Sequence, residues 1–286
     1  MNARASHLSQ RIRRKLRRIW LTKRKRITQS LSADPTAEKK ILLIIGCQRS
    51  GTTMMLRILE RDMQSRVYGE FSELSIGPNR TLLKPFAEVR EIIDRDPAPF
   101  VVVKPLVETQ RLPELFEHLA PAKAVWMYRH YKDVASSNLK NFGENNGIDD
   151  LRPIAQGDPN NWRSSHASPE VQALAKQYFS EDMSSTDAAA LFWYARNSLY
   201  FDLDLPHDPR VMISRYEDIV HDPRTQLRAI YRFAGRPFPE HITEHEIQSS
   251  SVGKGQHVDL HPEIEEHCKA MLTRLDQAYL ARRRLA

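Results

Sequence analysis

The chain has 286 residues, 41% of them hydrophobic, which suits one sizeable core and one domain, and its longest apolar run near the N-terminus, Ile19-Trp20-Leu21, falls far short of a bilayer span. The formal net charge of +7 is unevenly held, because residues 1–40 carry 13 of the 43 Lys and Arg against Asp34 and Glu38 and the remainder is slightly acidic; the basicity belongs to a tail and argues against a nucleic-acid-binding surface. Cys47 and Cys268 are the only cysteines and no CxxC or Cys/His cluster occurs, so a disulfide framework and a zinc site are excluded and a reducing, cytoplasmic location is expected, with no cleaved signal.

In the tail, residues 1–40, Leu8, Ile12, Leu16, Ile19 and Trp20 recur at helical spacing between arginines and lysines. That pattern reads as a solvated leader or as a basic amphipathic helix that lays residues 1–26 on an anionic membrane surface, which would make the protein peripheral there. Ser30 to Thr36, with Pro35, reads as a linker.

A domain is expected over 41–286. Ile41 to Ile45 is a continuous apolar run before Gly46, as a strand buried on both faces requires. A helix over Thr53 to Arg61 follows, then a helical stretch from Leu82 to Ile93 and a second buried strand, Phe100 to Val103. Leu112, Leu115, Phe116 and Leu119 line one side of a helix, Ala124 to Tyr128 is a strand, and Tyr131 to Leu139 is its helix. From Gly143 to about Pro169 the composition turns polar and loop-like, so residues 143–200 read as an insertion on the acceptor side. A helix over Asp187 to Tyr200 precedes the last strand, Val211 to Ser214, and a helix from Pro223 to Ala234. Ile264, Cys268, Met271, Leu272, Leu275 and Tyr279 share one face of a closing helix. Strands alternating with amphipathic helices predict an α/β fold with a central parallel sheet between helical layers.

Gly46-Cys47-Gln48-Arg49-Ser50-Gly51-Thr52-Thr53 lies between the first strand and the first helix. Its spacing is that of GxxxxGK[ST], whose backbone N–H groups and helix N-terminus hold phosphate oxygens, except that Thr52 replaces the lysine. That lysine serves the β- and γ-phosphates of a nucleoside triphosphate, so the loop suits a nucleotide without them, and Arg49 supplies the cation instead. A kinase or ATPase with a degenerate loop is the rival enzyme; a non-catalytic nucleotide-binding protein held at a membrane is the rival outside enzymes.

Arg49-Ser50-Gly51-Thr52-Thr53 resembles the 5′-phosphosulfate loop of sulfotransferases that use 3′-phosphoadenosine-5′-phosphosulfate (PAPS), in the arginine form of the carbohydrate and tyrosylprotein enzymes and not the lysine form of the cytosolic phenol and steroid enzymes. The resemblance implies a P-loop-like three-layer fold, PAPS as co-substrate, 3′-phosphoadenosine-5′-phosphate (PAP) as product, and no metal ion. It further implies that Ser50, Gly51, Thr52 and Thr53 bind the 5′-phosphosulfate while Arg49 steadies the leaving phosphate. Arg129 and Ser137, eight apart across a strand end and the next helix, match the family's 3′-phosphate pair. Ser214-Arg215-Tyr216-Glu217-Asp218-Ile219 resembles a further family stretch, which places Tyr216 near the adenine. Ser251-Val252-Gly253-Lys254-Gly255 resembles the loop that closes over the nucleotide, with Lys254 a candidate for the 3′-phosphate.

Sulfuryl transfer needs a base for the acceptor hydroxyl. Glu70, 21 residues beyond Arg49 where the next strand should end, is the candidate, with Glu73 as a nearby substitute; no histidine stands out, and His130 merely follows Arg129. Lys104 ends the run Val101-Val102-Val103 at the carboxyl edge, where it would neutralise the sulfonate or order the acceptor. Trp193, Arg196 and Asn197 share a helical spacing that would let them face the cleft together, although Trp193 reads first as a core residue. Because the arginine loop and the glutamate base resemble the carbohydrate branch, a sugar or glycoconjugate hydroxyl ranks first as acceptor, with peptide tyrosine, lipid or small-metabolite hydroxyls behind.

Overall fold

The computed structural model describes residues 23–31, 38–77, 81–242, 247 and 251–285. The amphipathic pattern of residues 8–20 lies outside them.

Five strands form one parallel sheet in the order β2-β3-β1-β4-β5: β1 (Lys40–Gly46), β2 (Ser65–Tyr68), β3 (Phe100–Val103), β4 (Ala122–Tyr128) and β5 (Val211–Arg215). Ile41 to Ile45 in β1 are at most 4% exposed, which is why that run shows no polar alternation. Ile41, Leu43 and Ile45 face one core and Leu42 and Ile44 the other, so the strand joins two hydrophobic layers.

Residues 23–31 form α1. Its Lys25 is buried, donating to the Glu60 carbonyl at 2.6 Å and to Ser65 Oγ at 3.2 Å, and burial pushes its pKa down to about 8. Gln29 donates to the carbonyls of Met63 and Ser65. These bonds seat α1 at the amino end of β2. The outer face of α1 exposes Ile27 and Leu31.

The other helices are α2 (Thr52–Leu59), α3 (Phe86–Arg95), α4 (Leu112–His118), α5 (Tyr131–Phe142), α6 (Asn146–Gln156), α7 (Pro169–Tyr178), α8 (Ser185–Asp202), α9 (Tyr216–His221), α10 (Pro223–Phe233) and α11 (Pro262–Leu285). The closing helix buries Ile264, Cys268, Met271, Leu275 and Tyr279 as its spacing predicts. The stretch expected to be helical from Leu82 starts only at Phe86, after Pro85, because a proline can open a helix but disfavours the helical state in the residue before it.

Two expectations for residues 143–200 require correction. The loop-like segment contains α6, whose Leu151 and Ile154 are buried. Gly147 permits that packing, since a Cβ there would stand 2.7 Å from the Ser185 carbonyl of α8. Moreover α8 is a core helix, with twelve buried residues around its circumference, rather than a helix facing a cleft.

Candidate functional site

From β1 the chain passes to β2 and β3 on one side, then crosses to β4 on the other, so the carboxyl ends of β1 and β4 flank the crevice where open α/β sheets bind ligands. Gly46 closes β1 at φ +121°, and a Cβ there would lie 2.2 Å from the Met127 carbonyl oxygen, so only glycine lets β1 and β4 part at this point. Arg49 (φ +66°) and Gly51 (φ +91°) both take left-handed backbone, which curls the loop before α2. A Cβ on Gly51 would meet the Tyr216 ring at 2.4 Å. No side chain caps α2, and the hydroxyl of fully buried Ser50 has no protein partner. Unpaired N–H groups of a first helical turn, beside an orphaned hydroxyl, form an anion cradle.

Arg129 follows β4 and is 6% exposed. Its Nη2 donates to Asp133 Oδ2 at 3.1 Å and to the Ser251 carbonyl, its Nη1 to the Arg49 carbonyl at 3.4 Å, and its guanidinium lies 4.4 Å from the centre of the Tyr216 ring. Its Nε has no partner. The Tyr216 hydroxyl meets Ser251 Oγ. Ser137 Oγ accepts from Arg49 Nε at 3.0 Å, which brings Arg49, Arg129, Ser137 and Tyr216 into one cluster. Burial and the neighbouring Arg129 hold the pKa of Arg49 below the ordinary arginine value; two cations this close are relieved by a bound anion.

Asp133, one turn into α5 beyond Arg129, was not singled out by its sequence. Besides Arg129, its carboxylate accepts from Gly253 N–H at 2.9 Å and Gly255 N–H at 2.6 Å, so it pins the segment around Lys254 to the arginine. Gly255 packs so closely that a Cβ would stand 2.2 Å from the Lys132 carbonyl carbon. Lys254, between the two pinned glycines, is exposed.

At the ends of β2 and β3, Lys104 is 4% exposed and donates to Thr53 Oγ1 at 2.8 Å and Glu70 Oε2 at 3.1 Å. Parallel pairing of Tyr68 with Val103 sets this up, because the residues that follow leave the sheet at the same edge. Burial lowers the Lys104 pKa, with Glu70 opposing the shift and Arg49 adding to it. Glu70 thus reaches the phosphate loop through Lys104, whereas Glu73 is exposed and paired with Arg66 at 2.9 Å. His130 is occupied as the N-cap of α5, its Nδ1 accepting from Lys132 N–H at 3.3 Å, and burial lowers its pKa.

The trio on α8 does not face the cleft together. Trp193 is fully buried and donates to the Arg129 carbonyl at 2.9 Å, supporting the site from below. Asn197 accepts from Trp126 Nε1 at 3.4 Å. Arg196 is fully buried, donates to Gln110 Oε1 at 3.1 Å, and leaves Nε and Nη1 without partners. Among the described residues no group of His, Cys, Asp and Glu is placed to hold a metal, and no helix is long and apolar enough to cross a membrane.

Residues 39–265 match a family model described as the sulfotransferase domain. Among curated proteins, Sulfotransferase 1A1 of Bos taurus is 26% identical over 218 residues, 73% of this chain and 64% of that protein. Sulfotransferase 1A1 of Rattus norvegicus is 26% identical over 230 residues, 77% of this chain and 68% of that protein. The matched region is thus under two thirds of the bovine relative's length. Two solved structures share the fold: the sulfotransferase domain from the Synechococcus PCC 7002 olefin synthase (TM-score 0.52, 15% identity, 84% of this chain and 98% of that one) and that from the curacin biosynthetic pathway (TM-score 0.53, 15% identity, 84% and 99%).

Proposed function

The chain belongs to the sulfotransferase-domain family with its P-loop-like three-layer fold, and from that membership we propose that it moves a sulfuryl group from PAPS to a hydroxyl acceptor. The observation that carries this reading is the meeting of Arg49 and Arg129 over a phosphate loop that has Thr52 where a nucleoside-triphosphate site needs lysine.

Ser50, Gly51, Thr52 and Thr53 hold the 5′-phosphosulfate, with the Ser50 hydroxyl gaining the partner it lacks. Arg129 and Ser137 receive the 3′-phosphate, Tyr216 lies beside the nucleotide, and Lys254 sits on the segment that Asp133 pins over it. The acceptor hydroxyl, a sugar hydroxyl in this reading, gives its proton to Glu70. Its oxygen forms the new bond to sulfur, the bond from sulfur to the phosphate oxygen breaks, and PAP leaves with the added charge facing Arg49. Lys104 bridges the two halves of this site, orienting Glu70 while keeping a cation beside Thr53. Apart from Lys25, which is buried against Glu60 and Ser65, the tail, residues 1–26, is proposed as a contact for an anionic membrane surface.

PAP release from PAPS in the presence of sugar acceptors tests the activity. Turnover is expected to persist in EDTA, because charge on the leaving group is met by arginine. Failure to bind PAP, together with magnesium-dependent ATP turnover, would put a kinase in its place.

Gly51→Ala would drive a methyl group into Tyr216 from a left-handed backbone position. We expect at least a tenfold weaker PAP affinity by calorimetry and a melting temperature a few degrees lower, on the order of 1–3 kcal/mol of strain. An unchanged affinity would mean that the loop does not hold the nucleotide.

A further inference from the structure

Behind the phosphate loop lies a buried polar cluster that the mechanism leaves unused. Gln48, the loop residue before Arg49, donates to Asp150 Oδ2 of α6 at 3.2 Å, and the same carboxylate accepts from Asn146 Nδ2 at 2.8 Å and from Arg163 Nε at 2.6 Å. Asp150 is buried, so it braces the loop from the side of α6. Arg196 of α8 lies deeper. Its Nη2 donates to Gln110 Oε1 at 3.1 Å and to the Leu106 carbonyl at 3.5 Å, both in the turn Leu106–Arg111 that follows Lys104. One turn earlier on α8, Trp193 holds the Arg129 carbonyl, and it shares its core layer with Cys47, the loop residue after Gly46.

The charges in this cluster do not balance. Asp150 is one negative group between two guanidiniums, and its oxygens go to Arg163, Asn146 and Gln48, none to Arg196. Cys47, the other ionisable neighbour of Arg196, is neutral, because burial pushes its thiol pKa up to about 12, with Arg196 opposing the shift. Burial lowers the pKa of Arg196 to about 10, which leaves it charged at neutral pH. Its guanidinium is 5.2 Å from the centre of the Trp162 ring, but Arg163 shares that ring, at 4.6 Å. Its Nε and Nη1 have no protein partner. Water can satisfy such N–H groups without cancelling a net charge, and burying an unmatched cation costs the fold stability.

Resting on the sulfuryl-transfer reading, we infer that Arg196 is a specificity-determining residue for the donor: its charge, left in excess behind Cys47, favours the 5′-phosphosulfate on Ser50 to Thr53 and is balanced when that anion arrives. It touches neither nucleotide nor acceptor. It acts through space, in an interior where charges are weakly screened. Of the cations around the loop, Arg129 is bonded to Asp133 and Lys104 to Glu70, so part of their field is already cancelled. Among the described residues Arg196 bonds no carboxylate, and a buried cation without one is retained at a cost that an incoming anion offsets.

The test compares PAP with adenosine 3′-phosphate, which lacks the 5′-phosphate, by calorimetry at fixed ionic strength, the weaker ligand being followed by its displacement of PAP. Wild type is expected to prefer PAP. Arg196→Met and Arg196→Gln are each expected to weaken PAP about tenfold and to leave adenosine 3′-phosphate within about twofold, whereas Arg196→Lys, which keeps the charge without the shape, retains most of the PAP affinity. The Gln and Lys variants both keep a donor toward Gln110, so that pair decides the matter if the Met variant does not fold. A PAP affinity indifferent to all three substitutions overturns the inference. So does an equal loss of both ligands, or a Lys variant as weak as the Gln variant, because either would make Arg196 a packing residue. Wild type that binds no PAP overturns the sulfuryl-transfer reading as well.

Discussion

Replacing Glu70 by Gln is expected to lower kcat by about two to four orders of magnitude while leaving PAP affinity within a factor of two, since a positioned general base contributes on that scale. Gln keeps the shape and can still accept a hydrogen bond from Lys104, so the variant isolates proton acceptance from the packing of the Lys104, Thr53 and Glu70 cluster. Glu73→Gln is the internal control. Its carboxylate is turned outward to Arg66, and its loss should change kcat less than twofold. Single-turnover kinetics with saturating PAPS distinguish the two. A loss under tenfold for Glu70→Gln, or a larger loss for Glu73→Gln, would assign the base elsewhere.

Arg129→Ala is expected to weaken PAP at least a hundredfold in calorimetry at fixed ionic strength. Two charge-assisted hydrogen bonds to a phosphate, each about 1.5–3 kcal/mol, account for that loss. The same side chain also organises the site before any nucleotide arrives: it draws in the Ser251 carbonyl, packs on Tyr216 and neutralises Asp133. Asp133→Asn separates these contributions. It spares every direct donor to phosphate but weakens the clamp on Gly253 and Gly255, so a loss of roughly tenfold is expected from disorder in that segment alone. Equal affinities for wild type and Arg129→Ala would refute the 3′-phosphate assignment. Thermal melts of both variants should stay cooperative, because the sheet and both cores lie outside the cluster.

What the sequence disclosed and what it concealed divide along the range of the interactions involved. The strands at Ile41 to Ile45 and Phe100 to Val103 were readable because burial on both faces imposes an uninterrupted apolar run, and the turn from β1 into α2 was readable because its glycines set it locally. The strand before Glu70 left no such run: β2 is the edge strand Ser65–Tyr68, half polar and only partly buried, and was expected from its place in the alternation; it ends at Tyr68, and Glu70 follows at the same edge as Lys104. Helix α6 was hidden by Asn145-Asn146-Gly147 and Pro153, residues that ordinarily mark a turn, although Gly147 serves here to let two helices touch. Asp133 was hidden differently, for its meaning lies in backbone N–H groups 120 and 122 residues away. Trp193 and Arg196 share a helical face, as their spacing says, but periodicity names a face without saying what covers it; Trp193 meets the Arg129 carbonyl just after β4, and Arg196 meets Gln110 in the turn Leu106–Arg111.

The seat of α1 gives the molecule a polarity. Lys25 and Gln29 fasten it at the amino ends of the strands, and the seven residues of β1 set about 20 Å between that pole and the phosphate loop. A surface that captured α1 through its exposed Ile27 and Leu31 would therefore hold the protein by its base. The carboxyl edge of the sheet, with Arg49 and Arg129, would then face away from that surface, toward water instead of lipid.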